Sequence, residues 1–158
     1  IARDVDDGKA RMKHALESGA GLAKLKEMIA AQGGDAGVCD DVTRLPQAKH
    51  LVPVSAPHDG YVADMDTTAI GYCAQDLGAG RKQKTDVIDP AVGLVMNVRI
   101  GDFVKQGDTL ATLHLNKPEQ AERAIARMQQ AVKLTADKPA IPPLVYASVS
   151  PEGVARGM

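Results

Sequence analysis

The stretch that most constrains this chain runs from Val87 to Leu115. Apolar residues alternate with others through Val92, Leu94, Met96 and Val98, and again from Leu110 through Thr112 to His114; Gly101-Asp102 and Gly107-Asp108 lie between the two runs. A period of two puts alternate side chains on one face of a strand. Gly-Asp interrupts it, because Gly reaches φ > 0 without a Cβ clash and Asp tolerates turn geometry. The expectation is a small curled β unit of short strands and tight turns. Its opening has a second copy upstream: Pro57, Gly60, Val62 and Met65 match Pro90, Gly93, Val95 and Val98, each 33 positions on. Two such segments predict a quasi-symmetric barrel or sandwich in which each copy buries what the other exposes.

Around this unit the chain reads in order. Asp4 to Ser18 predicts a helix with Asp6 and Asp7 in its first turn, where the helix dipole favours acid, and with Met12, Ala15 and Leu16 on one face. A second helix carries Leu22, Leu25, Met28 and Ile29 at spacings of three and four and ends at Gly33-Gly34. Two short amphipathic helices cannot bury both stripes on each other, so their partner is either the β unit or a further domain. Asp35 to Lys49 lacks periodicity and reads as a linker. His50–Ala56 and Gly60–Asp66 predict strands flanking the turn Pro57-His58-Asp59-Gly60. Thr67 is expected to cap a helix from Thr68 or Ala69 to about Leu77, closed by Gly78. After the β unit, Pro118 opens a helix with Ala121, Ala124, Ile125, Met128 and Val132 inward. The tail from Pro139 predicts an extended entry into one final edge strand through Leu144–Val149.

Composition excludes several function classes. A net charge of −1 with no basic block removes the electrostatic argument for nucleic acid, and 3% aromatic residues with no Trp leave little to stack on bases. Hydrophobic residues at 44% and charged ones at 25% fit a soluble globular protein, and no apolar run reaches the about 20 residues that span a bilayer. Cys39 and Cys73 match no zinc spacing and, without a signal peptide, read as free thiols in a reducing cytoplasm. The first residue is Ile1 rather than Met, so the chain reads as a piece of a longer protein.

Candidate chemistry is sparse. Gly78-Ala79-Gly80-Arg81-Lys82-Gln83-Lys84 is glycine-rich and basic. Gly78 and Gly80 would let backbone N–H groups approach an anion while Arg81, Lys82 and Lys84 add charge; the alternative is a helix cap followed by a solvated loop. Lys117 sits where a carrier domain would hold its cofactor, since Gly101–Leu113 resembles the half-motif of lipoyl and biotinyl carriers; such a lysine must lie at an exposed hairpin tip, and Pro118 opposes that. His14, His50, His58 and His114 show no metal-ligand spacing, and no Ser, His and Asp set carries a nucleophile signature. Residue by residue, no catalytic group and no metal site is expected.

Several stretches together resemble one family. Ser18-Gly19, Leu25-Lys26-Glu27-Met28, Ala31-Gln32-Gly33-Gly34-Asp35, Leu45-Pro46-Gln47-Ala48, Leu77-Gly78-Ala79-Gly80-Arg81 and Ile88-Asp89 with Val92-Gly93 resemble the C-terminal portion of pyrimidine-nucleoside and thymidine phosphorylases. The resemblance implies an α+β fold: terminal helices of a central α/β domain over 1–35, a linker over 36–49, and over 50–158 an α/β-hammerhead related to barrel-sandwich hybrids. It also implies a cytoplasmic homodimeric parent enzyme in which inorganic phosphate, as co-substrate, splits a pyrimidine nucleoside without any cofactor. Its partners would be the parent's N-terminal helical and α/β domains, not nucleic acid or membrane. The family's catalytic residues precede this portion. The chain alone is therefore expected to be inactive, bracing the α/β domain with its Gly78–Lys84 loop toward the interdomain cleft.

Overall fold

The first helix begins where an aspartate can satisfy a free backbone N–H. In the computed structural model, which describes residues 2–156, Asp4 caps α1 (Val5–Glu17) by accepting from the Asp7 N–H at 2.8 Å. Ile1, Gly157 and Met158, at the ends of the expected segments, lie outside the described residues. Helix α2 (Ala20–Ala31) follows and ends as Gly34 N–H donates to the Ile29 carbonyl at 2.9 Å. The segment read as an unstructured linker instead holds two short 3-10 turns, Ala36–Cys39 and Val42–Arg44. Each is opened by an aspartate, Asp35 accepting from Gly37 N–H at 2.9 Å and Asp41 from Thr43 N–H at 3.0 Å. Such side-chain-nucleated turns have no hydrophobic period to betray them. These elements belong to one compact unit, Ile1–Gln47, and a second comprises Ala48–Met158. Neither α1 nor α2 contains a buried residue, and Leu16 on α1 is 76% exposed.

The second unit is two three-stranded antiparallel sheets and two helices. Its strands are β1 (His50–Ser55), β2 (Gly60–Met65), β3 (Gly93–Met96), β4 (Phe103–Val104), β5 (Thr109–Leu115) and β6 (Val132–Thr135). One sheet has the order β1-β5-β3, so that Val52 and Leu94 both lie opposite Leu113; the other has the order β4-β2-β6. Although only the turn at Pro57–Asp59 separates β1 from β2, the two do not pair with each other, and the chain changes sheet there.

The Gly-Asp pairs make this crossing possible. Gly101 and Gly107 stand at φ 96° and 91°, which a Cβ would strain. In each turn the aspartate N–H donates to the carbonyl three residues back, Asp102 to Arg99 at 3.1 Å and Asp108 to Lys105 at 3.0 Å. Each carboxylate then accepts from the N–H of that same residue, at 2.7 Å for Arg99 and 2.8 Å for Lys105. The two turns clasp the chain around the crossing in the same way. Val62 donates to Asp102 O and accepts from Gly101 N–H, both at 2.8 Å, while Ala56 donates to Asp108 O at 2.8 Å and accepts from Gly107 N–H at 2.9 Å. The symmetry thus lies in a six-residue repeat of turns. The 33-position repeat aligns the starts of β2 and β3, but Val62 is fully buried on a central strand whereas Val95 is 51% exposed on an edge strand. Equivalent positions therefore face differently.

Two apolar clusters fill the unit. Val54, Leu113, Leu115, Cys73, Leu77, Ala124 and Met128 join the first sheet to its helices; Ala56, Val62, Val98, Val104, Leu110 and Val132 fill the second sheet. Helix α3 (Thr67–Ala74) is capped by Asp66, whose carboxylate accepts from Ala69 N–H at 2.9 Å, so the expected Thr67 cap is one residue late. Helix α4 (Ala121–Ala131) follows a 3-10 turn at Pro118–Gln120 and buries Ala124, Met128 and Ala131. Val132, expected inside the helix, has already left it at ψ 110° to open β6 against β2, because a β-branched residue opposite Met65 completes the second core. The tail forms not one edge strand but a hairpin, β7 (Ala147–Ser150) with β8 (Gly153–Arg156), which joins neither sheet. The class is a mixed α+β fold. No helix among the described residues is long and apolar enough to cross a membrane.

Candidate functional site

Helix α3 ends by widening. Gln75–Ala79 form a π turn, which Gly78 closes at φ 111°, a conformation that makes glycine the natural residue there. The Gly78 carbonyl accepts from Asp89 N–H at 3.0 Å, and Gly80 is extended, with Gln75 packed where its Cβ would lie. Both glycines thus shape the exit from the helix. Beyond them the Lys82 and Gln83 N–H groups both donate to the Asp86 carboxylate at 2.9 Å, and the Gln75 amide donates to the Arg81 carbonyl. The loop is folded on its own polar groups.

The five residues singled out from the sequence separate into three kinds. Gly78 and Gly80 are conformational. Arg81 and Lys84 are exposed and make no ion pair among the described residues. Lys82 alone turns inward, where its ammonium pairs with Asp76. Asp76 also meets the Arg127 guanidinium and, at 3.9 Å, that of Arg123; its backbone carbonyl accepts from the Gln120 amide at 3.1 Å. Together they line a cleft of about 250 Å³ whose floor is Cys73, Leu77 and Ala124, with Glu119 at the rim. Asp76 was not legible as a functional residue in the sequence. Arg123 and Arg127 were not singled out either; their spacing of four, which stacks them on one helical face, was the available signal.

The electrostatics of the cleft are those of a structural cluster. The Lys82 hydrogen bond holds the Asp76 carboxyl below its ordinary value against the opposing effect of burial, with Lys82, Arg127 and Arg123 charges adding to it. Burial pushes the Cys73 thiol up, only partly offset by Arg127. A carboxylate held ionised among three cations is a poor base, and a buried, protonated thiol is a poor nucleophile. No group of His, Cys, Asp and Glu among the described residues could hold a metal ion. Lys117 is exposed at the end of β5, directly before the 3-10 turn at Pro118, rather than at a hairpin tip. The carrier geometry is absent there.

The family model for the pyrimidine nucleoside phosphorylase C-terminal domain matches residues 61–135, which include α3, the loop, the cleft and both Gly-Asp turns. A pyrimidine-nucleoside phosphorylase of Geobacillus stearothermophilus is 38% identical over 149 residues, covering 94% of this chain and 34% of that protein. Proteins of the same name from Bacillus subtilis (strain 168) and Staphylococcus aureus (strain bovine RF122 / ET3-1) are 34% and 36% identical over the same coverage. The chain spans about a third of the length of the curated relatives it matches. Over residues 61–135, just under half of its length, this chain is thus similar to the pyrimidine nucleoside phosphorylase C-terminal domain family.

Proposed function

We propose that the chain is the C-terminal structural module of an enzyme that splits pyrimidine nucleosides with inorganic phosphate, yielding free base and pentose 1-phosphate. The observation that carries this reading is the C-terminal-domain match together with relatives of that name aligned over 94% of the chain. Phosphorolysis develops charge on both sugar and base, so the catalyst must position phosphate and donate to the leaving base. The cleft's cations gather on Asp76 and its thiol is held protonated, which supports placing the catalytic residues in the remaining two thirds of such an enzyme, with this module bracing them.

In this reading residues 50–158 are the family's α/β-hammerhead, 36–49 a linker and 1–35 the last helices of the neighbouring α/β domain. The working enzyme is a cytoplasmic homodimer needing no cofactor beyond its co-substrate phosphate. The Gly78–Lys84 loop, with Arg81 and Lys84 free to face solvent, lies toward the substrate cleft. The test is phosphate-dependent release of uracil and thymine from uridine and thymidine, by this chain alone and by a chimera joining it to the N-terminal two thirds of the Geobacillus stearothermophilus relative. No release alone and release by the chimera are expected; release by the chain alone would overturn the assignment. Within the active chimera, Arg81→Ala reports on the loop, and unchanged kcat and KM would remove it from the cleft.

A further inference from the structure

Two segments converge on one carboxylate. Asp76 stands in the π turn that follows α3; Lys82 reaches it from the loop just beyond, and Arg123 and Arg127 reach it from α4. The aspartate side chain is 26% exposed and Arg127 34%, so both are shielded from bulk solvent more than Lys82 at 55% or Arg123 at 78%. Ion pairs in such shielded positions are screened less than pairs at the open surface. We infer that Asp76 is a latch: it ties the glycine-rich basic loop to helix α4, and the loop opens when this single carboxylate lets go of Lys82.

The rest of the loop is built for a movable joint. It leaves α3 through a π turn and a left-handed glycine and packs no residue from Arg81 to Thr85 into the core. Its other ties include the Gln75 amide on the Arg81 carbonyl, the Asp86 carboxylate on two N–H groups and the Asp86 N–H on the Gln83 carbonyl at 3.1 Å, all of them local. Lys82 to Asp76 is the tie that spans from the loop to the α3–α4 cleft. Closed, it withdraws Lys82 and leaves Arg81 and Lys84 to project. Open, it frees Lys82 to leave the cleft with the loop, while Asp76 stays between Arg123 and Arg127. The groups facing Asp76 favour its ionised form, so the latch is closed at neutral pH.

The loop carries its own reporter, since trypsin cleaves after Arg81, Lys82 and Lys84. The full chain is digested briefly, and cleavage after Arg81 and Lys84 is timed by mass spectrometry in the native protein, in Asp76→Asn, and in Asp64→Asn, which breaks the unrelated ion pair to Lys133. Asp76→Asn is expected to raise loop cleavage about fivefold, the scale of losing a partly shielded ion-pair cluster from a local opening equilibrium, and Asp64→Asn to leave it unchanged. High salt should speed loop cleavage of the native chain relative to Asp76→Asn. Loop cleavage by Asp76→Asn at the native rate, with circular dichroism and melting temperature preserved, would overturn the latch. Should Asp76→Asn fail to fold, Lys82→Gln opens the same tie from the loop side, and native-rate cleavage after Arg81 and Lys84 in that variant would overturn it equally.

Discussion

Gly107 stands at φ 91° with nothing within 4 Å of where a Cβ would lie, so its replacement isolates the cost of the backbone conformation. Gly107→Ala is expected to destabilise the fold by about 1 kcal/mol, read as a lower urea midpoint at an unchanged slope. Gly101 shares the conformation at φ 96°, but there a Cβ would also meet Ile141 Cγ1 at 2.8 Å. Ile141 is 63% exposed and can swing aside, so Gly101→Ala should cost only slightly more than Gly107→Ala. A much larger loss at Gly101 would mean that the segment around Ile141 is held in place. Both turns were legible from the chain, because a Gly-Asp pair states its geometry within four residues. Asp76 was not, because its meaning depends on Arg127, 51 positions away.

At the scale of elements, helix α4 does most to join the first sheet to its cover. Met128 is fully buried between that sheet and α3, and Met128→Ala should lose about 2–5 kcal/mol, the range for truncating a large core side chain. Chemical denaturation measures it, and a loss below about 1 kcal/mol would show that the cluster collapses around the gap. The inward set on this helix was readable from its 3.6-residue period, yet the helix was expected to continue through Val132. Periodicity cannot see that Val132 faces a second core, where pairing with β2 outweighs one more helical turn. The same blindness hid β6 and β8, each four residues long, too short to display a period.

For the whole molecule, the core sits entirely on one side of the division at Gln47 and Ala48. Among the described residues every buried one belongs to the second unit, so residues 48–158 made alone should unfold cooperatively, whereas 1–47 alone should show little helical signal in circular dichroism. A folded 1–47 peptide would contradict this. Acid should weaken the protein. Asp7, Asp41, Asp76, Asp86, Asp89 and Glu152 are all held below their ordinary values, chiefly by hydrogen bonds to their carboxylates. A depressed carboxyl contributes stability above its unfolded pKa and loses it as pH falls through the folded one. The urea midpoint should therefore be level near neutrality and decline from about pH 5 downward; a midpoint that rose with acid would contradict the pairing of these groups. The caps, the Gly-Asp turns, the alternating strands and the ordered motifs of the family were set by the sequence alone, since each depends on residues within a few positions or on their order along the chain. Tertiary structure decided which sheet each strand joins, which face Val62 and Val95 present, and that Lys82 turns from the basic loop to Asp76. Those outcomes depend on contacts between distant segments, where burial and charge outweigh local preference.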